Sequence, residues 1–169
     1  MKPTDSILII LSLFLISNCG ENLIEEVKER YSGGELKIVE YYKKVGDNQK
    51  LVRKIRYYEN GQISSEGNYK YGKWDGKNIS YHENGQIEFD GNYKNGKRYG
   101  KWRWYYENGQ IGSDGNYKDG ELDGKGTVYY ENGQIGTDGN YKDGKTDGKW
   151  TYYNEDGSIN KVEEYKDEN

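Results

Sequence analysis

The sequence predicts an all-β chain: an elongated, twisted antiparallel β-meander of stacked hairpin repeats with a 24-residue period. Three observations predict it. The heptapeptide YYENGQI at 57–63 returns as YHENGQI at 81–87, unchanged at 105–111 and 129–135, and as YNEDGSI at 153–159. Each unit carries two turn signals of the Asn-Gly kind, about a strand's length apart. Nineteen tyrosines and four tryptophans recur at fixed places in a chain otherwise poor in aliphatic side chains, so each unit can bury large rings against its neighbours.

Composition bounds the rest. The chain has 169 residues, 32% of them charged, a profile that by itself points to disorder. The recurring rings argue against disorder for residues 57–159. A net charge of −4 gives no reason to expect nucleic acid as a partner. Pro3 is the single proline, so the turns fall to Gly, Asn and Asp.

Taken in order, residues 1–18 read as an export signal. Lys2 precedes the apolar run Ile7–Ile16, broken only by Ser12. As a helix this run rises about 15 Å, half of a bilayer's hydrocarbon core, too short to span it. The residues Ile16-Ser17-Asn18-Cys19-Gly20 resemble a bacterial lipobox, with Asn18 where Gly, Ala or Ser is usual. The resemblance implies lipid attachment at Cys19 and a protein anchored to a membrane of the bacterial cell envelope, at the outer membrane or cell surface. Cys19 is the single cysteine, so no internal disulfide competes for it. Several acyl chains on one residue anchor a protein durably, as one chain does not.

Residues 19–30 are expected to form a tether or a short capping helix. Asn22 and Glu25 have capping-box spacing, and Leu23, Ile24 and Val27 fit one helical face. Residues 31–56 read as a degenerate first repeat. There YSGGELKIVEYYK aligns on YENGQISSEGNYK, pairing Gly34 with Gly61, Leu36 with Ile63 and Tyr42 with Tyr69. About three extra residues near Gly46–Lys50 put this copy out of register.

Residues 57–169 hold the regular units and a degenerate last copy. The Asn-Gly of ENGQ and the second signal, as in Asn95-Gly96, are both expected to form two-residue type I′ turns. Asn108-Gly109 then sets Tyr106 opposite Ile111 and Tyr105 opposite Gly112. Opposed residues share a face and faces alternate. One face therefore collects Trp102, Trp104, Tyr106, Ile111, Ser113, Gly115 and Tyr117. The other collects Lys101, Arg103, Tyr105, Gln110, Asp114 and Asn116. The second turn agrees, placing Tyr93 opposite Arg98 and Gly91 opposite Gly100. Such bare glycine pairs (also Gly67 with Gly76, Gly115 with Gly124, Gly139 with Gly148) leave room for a ring such as Trp102.

At GNYKNGKRYGKW (91–102) the sequence resembles the MORN repeat, with Gly91, Tyr93, Gly96 and Gly100 in the pattern Gly-x-aromatic-x-x-Gly-x-x-x-Gly. The ENGQI step is similar to a variant form common in bacterial proteins. The resemblance covers about residues 31–165 and implies an elongated sheet of stacked hairpins. It also implies scaffolding, self-association or contact with phospholipid head groups. Some bacterial members carry an antitoxin label, which a lipobox would put at odds with cytoplasmic toxins.

No catalytic constellation, phosphate loop or cofactor motif appears, and the chain reads as a non-enzyme. His82, the only histidine, stands where other copies have Tyr58, Tyr106 and Tyr130. Asp119, Asp123, Asp143 and Asp147 precede turn glycines and alternate with lysines, a pattern of turns more than of a calcium loop. Lys101 and Arg103 belong to a basic run beside Trp102 and Trp104, able to meet an anionic head group or a glycan. The most suggestive set is Tyr57, Tyr81, Tyr105, Tyr129 and Tyr153, one per repeat on the polar face. A ligand-bearing ladder there predicts that removing Tyr105 and Tyr129 weakens binding and barely lowers the melting temperature. Two functions follow. One is an envelope-anchored scaffold that engages another protein or itself. The other is a wall- or glycan-binding module, since GKWRWYYENGQ is somewhat similar to choline- and glucan-binding repeats. Those repeats use a tryptophan in most copies, whereas Asn78 and Gly126 replace Trp102 here, and only Trp150 matches.

Overall fold

A computed structural model describes Ser17–Asn18 and residues 21–166 of the chain. The apolar run 7–16 and Cys19 lie outside the described residues. The described residues form one antiparallel meander in which every strand pairs with its neighbours in sequence. A two-residue strand, β1 (Ser17–Asn18), leads into β2 (Glu21–Arg30), β3 (Leu36–Val45) and β4 (Asn48–Tyr57). The regular hairpins follow as β5 (Ile63–Lys70), β6 (Lys73–Tyr81), β7 (Ile87–Lys94) and β8 (Lys97–Tyr105). Then come β9 (Ile111–Lys118), β10 (Glu121–Tyr129), β11 (Ile135–Lys142), β12 (Lys145–Tyr153) and β13 (Ile159–Tyr165). At about 4.8 Å per strand the array is roughly 60 Å across.

Where a tether or short capping helix is expected over 19–30, the described residues Glu21–Arg30 are a strand. β2 pairs along its length with β3, with Glu25 opposite Tyr41 and Val27 opposite Val39. Leu23 and Val27, four residues apart, share a face in a helix and in a strand alike, and pairing with the otherwise open β3 edge decides between them. The degenerate first repeat is built as aligned. The Tyr31 amide donates to Glu35 O and the Gly34 amide to Tyr31 O, as the Tyr58 amide does to Gln62 O and Gly61 to Tyr58 O. The additional residues lengthen both arms: β3 and β4 have ten residues each, against eight and nine in β5 and β6.

Only one of the two turn signals gives a two-residue turn. Tyr71, Asn95, Asp119 and Asp143 have positive φ, each followed by a positive-φ glycine, as type I′ requires. At ENGQ only the glycine is positive, with Gly109 at φ 82°. The Gly109 amide donates to Tyr106 O at 2.9 Å and the Asn108 side chain accepts the Gln110 amide at 2.9 Å. This is a type I turn closed by a left-handed glycine. Tyr105 therefore faces Ile111, not Gly112. The displacement ends there: Trp104 faces Ser113 and Trp102 faces Gly115, and from that pair onward the two faces are as the turns predict.

The glycine pairs also differ from expectation. Tyr93 faces Arg98 and Asn92 faces Tyr99, but Asp90 faces Arg103. Two steps along β7 thus match four along β8. The bulge falls at Gly100, at φ 69° with nothing within 4 Å of an added Cβ. Past the bulge, Trp102 swings back over Gly91, whose Cβ would lie 2.2 Å from the indole. One glycine is the seat and the other the bend.

A crosswise row shows how the faces change along the sheet. Val27, Val39, Ile55, Glu66, Ile79, Asp90, Arg103, Asp114, Thr127, Asp138, Thr151 and Val162 face one another in succession. Val39 and Ile55 are 1% and 4% exposed. The face that is polar in later repeats is therefore apolar at its amino-terminal end. The tryptophan face there carries Glu40 and Lys54, paired at 2.6 Å.

Candidate functional site

The ring ladder lies on the polar face. Tyr57, Tyr81, Tyr105, Tyr129 and Tyr153 are all half-buried, each at the end of a strand before the ENGQ loop. The hydroxyls of Tyr81, Tyr105 and Tyr129 donate to Glu66, Asp90 and Asp114 at 3.2, 2.9 and 3.3 Å, each 15 residues earlier. Lys101 pairs with Asp114 at 2.5 Å, Lys125 with Asp138 at 3.4 Å, and Arg53 with Glu66. Arg103 shares the network. Its hydrogen bond with Tyr105, and the nearby Asp90 and Asp114, hold its guanidinium more firmly protonated. Lys101 and Arg103 are thus brought to the tyrosine row, Lys101 paired with Asp114 and Arg103 bonded to Tyr105 near Asp90 and Asp114.

Because these rings are partly covered and hydrogen-bonded, the stability expectation for their removal changes. Tyr105→Ala with Tyr129→Ala is expected to lower stability by roughly 2–4 kcal/mol, from lost ring burial and two lost hydroxyl contacts. A thermal melt checks it; an unchanged midpoint contradicts the packing described here.

Burial, reinforced by nearby carboxylates, raises the hydroxyl pKa of Tyr57, Tyr81 and Tyr105, and pushes that of Tyr41 up to about 12. The stability linked to these groups is fully present below the unfolded value of about 10 and is lost as pH rises through the folded values. Alkaline titration is expected to show tyrosinate absorbance rising together with loss of the β-sheet circular dichroism signal. Complete ionisation of all the tyrosines near pH 10 with the sheet intact would contradict it.

The second tyrosine of each motif has a duty that the sequence reading missed. The Tyr31, Tyr58, Tyr106 and Tyr130 hydroxyls donate to the backbone carbonyls of Tyr57, Tyr81, Tyr129 and Tyr153 at 2.6–2.8 Å. His82 Nε2 reaches Tyr105 O at 2.9 Å; a carbonyl only accepts, so Nε2 carries the proton. Asn84, Asn108 and Asn132 likewise donate to the carbonyls of Glu107, Glu131 and Glu155 at 2.8–3.1 Å. Each loop is therefore clamped to the next one. The available signal was that the only replacement of this tyrosine in the ENGQ copies is another ring with a polar rim.

On the opposite face, Trp102 is 1% and Trp150 5% exposed. Between them an open groove of about 520 Å³ is walled by Trp104, Tyr117, Leu122, Val128, Tyr141 and Trp150, with Gly115 and Gly126 in its floor. Among the described residues no three His, Cys, Asp or Glu side chains converge as metal ligands would.

The repeat unit can now be compared with known sequence patterns. The MORN repeat variant matches at residues 53–71, 74–95, 98–119, 122–143 and 146–167, more than half of the chain. The chain belongs to the MORN repeat variant family. No curated protein matches it. Successive MORN segments part at the tight type I′ turns, so a full MORN unit such as 74–95 runs from β6 through the clamped ENGQ loop to the end of β7. The β2–β3 hairpin precedes the matched segments yet closes with the same loop hydrogen bonds. MORN repeats are generally a non-catalytic module, consistent with a protein-interaction scaffold.

Proposed function

We propose that this MORN chain is a non-catalytic scaffold of the bacterial cell envelope, held to a membrane by a lipid on Cys19 and engaging another protein or itself. The observation that carries the interaction is the carboxy-terminal edge of the sheet. Among the described residues β13 has β12 as its only neighbour, and it leaves Ile159 and Val162 63% and 48% exposed. A strand edge with unpaired backbone groups and apolar side chains is a template for a further strand.

Cross-linking on intact cells, followed by mass spectrometry of what the full chain captures, tests the scaffold. Capture is expected to fall when Val162 and Ile159 are both changed to lysine. The address has its own test: Cys19→Ser is expected to leave the membrane fraction in a detergent partition. Persistence of the variant in that fraction removes the lipid anchor from the reading.

A second reading rests on the polar face. Lys125, Asp138, Asn140, Lys149 and Tyr153 line a shallow depression of about 260 Å³, with the hydrogen-bonding groups and ring that a glycan or a phospholipid head group would use. Binding of wall glycan fragments that Tyr153→Ala abolishes would favour it.

A further inference from the structure

The four regular units are not equivalent at one position. The row Asn78, Trp102, Gly126 and Trp150 occupies the same place in successive repeats. Trp102 lies on Gly91, and its Nε1 donates to Asn92 O at 3.0 Å. Trp150 lies on Gly139 in the same way, with Nε1 donating to Asn140 O at 3.1 Å. In the Asn78 unit the ring of Trp74 and the Asn78 amide fill the place over Gly67. Only the third unit has no indole over its glycine. There Gly115 faces Gly126 directly, and the nearest atom to an added Cβ on Gly115 is Leu122 Cδ2.

Gly126 is not a glycine that the backbone demands. Its φ is outside the left-handed region, and the atoms within 3.5 Å of an added Cβ belong to the Tyr141 ring. Tyr117 and Tyr165 stand edge-on to Trp102 and Trp150, at 6.1 and 6.3 Å between centroids. Tyr141 covers bare Gly126 and stands edge-on to Trp150 at 4.9 Å, as Tyr93 does to Trp102 at 5.0 Å. The result is the open 520 Å³ groove with aromatic walls and Val128 48% exposed at its side. Its volume falls within the range of small-ligand sites, about 300–1,000 Å³.

We infer that the groove over Gly115 and Gly126 is a binding seat for an indole, supplied by a tryptophan side chain of a partner protein. The molecule itself displays the occupant twice, at Trp102 and Trp150. A flat ring on bare glycine is flanked edge-on by tyrosine, and its rim N–H donates to the backbone carbonyl after the seat glycine. In the third unit that carbonyl is Asn116 O. Partner tryptophans are frequent anchors of protein interfaces because one residue fills such a pocket and contributes most of the binding. This inference rests on the scaffold reading and adds the chemistry of the partner's anchor.

The probe is N-acetyl-fluorotryptophanamide, observed by fluorine NMR against the full chain. Saturable broadening, competed by unlabelled N-acetyltryptophanamide and not by N-acetylphenylalaninamide or methyl glucoside, is expected. Gly126→Trp fills the seat from within, as Trp102 and Trp150 do. It is expected to raise the melting midpoint and weaken probe binding by about tenfold or more. Val128→Lys, at an exposed position beside the groove, gives an independent loss should Gly126→Trp not fold. Absence of probe binding, or binding unchanged in a folded variant, overturns the indole seat. Equal binding of methyl glucoside also overturns it, making the groove a sugar site. Cross-linked partners that Gly126→Trp still captures would sink the seat and leave the scaffold standing; loss of all capture in the wild-type chain would sink the scaffold.

Discussion

Trp102→Ala is expected to cost about 3–5 kcal/mol, the range for deleting a fully buried large ring. Trp102 sits at the centre of the widest aromatic cluster in the sheet. Its ring lies 5.0 Å from Tyr93, 5.8 Å from Phe89 and Trp104, and 6.1 Å from Tyr117 between centroids. The Arg98 guanidinium lies over it at 4.8 Å. These contacts join β7, β8 and β9, and a meander has no second layer to compensate for a vacancy. Each unit in such an array is stabilised by its neighbours, so the loss should also broaden the transition by uncoupling the repeats on either side. Urea unfolding followed by circular dichroism checks both. A shift below 1 kcal/mol with unchanged cooperativity would mean that the ring is not the joint described here.

Gly91→Ala is expected to cost about 1–3 kcal/mol or more, for the opposite reason. A methyl there would lie 2.2 and 2.3 Å from two atoms of the Trp102 ring, which Tyr93, Phe89 and Trp104 prevent from moving freely. Overpacking of this kind is relieved only by displacing the ring or the strand. Gly100→Ala supplies the contrast. It meets nothing within 4 Å and loses only the left-handed backbone at φ 69°, roughly 1–2 kcal/mol. The double variant Gly91→Ala with Trp102→Ala separates the causes. With the ring gone the added methyl should cost little, so the two changes should be strongly non-additive in a mutant cycle. Additive losses would show that Gly91 matters for its backbone and not as a seat.

The same residues show what was legible. The period of the heptapeptide and the alternation of rings with charges suffice to set two strands per unit, the faces and most of the register. Both are local patterns, and the local pattern of a meander is nearly its whole topology. The ENGQ turn was misread in type. Asn-Gly fits a type I′ turn as well as a type I turn with a glycine closure, and the extra hydrogen bond from the Gln amide to the Asn side chain decides between them. Leu23, Ile24 and Val27 were misread as a helical face, because Leu23 and Val27 share a face in either period and Ile24 alone does not separate the two over so short a stretch. Of the candidate residues, the tyrosine ladder was located correctly by face. Its half-burial and its bonds to Glu66, Asp90 and Asp114 depend on carboxylates 15 residues away, which a reading of opposed pairs within one hairpin does not reach.

What the sequence determined by itself is the repeat, the all-β meander and the division into a ring-bearing face and a charged face, since periodicity alone specifies them. Only the tertiary structure decided which glycine is a seat and which a bend, because a bulge moves Trp102 two residues along its partner strand. It also decided that the second tyrosine of YYENGQI clamps each loop to the next, and that Gly126 leaves one seat without an indole. These are contacts between repeats, and a sequence read one repeat at a time shows the parts of such a contact without showing that they meet.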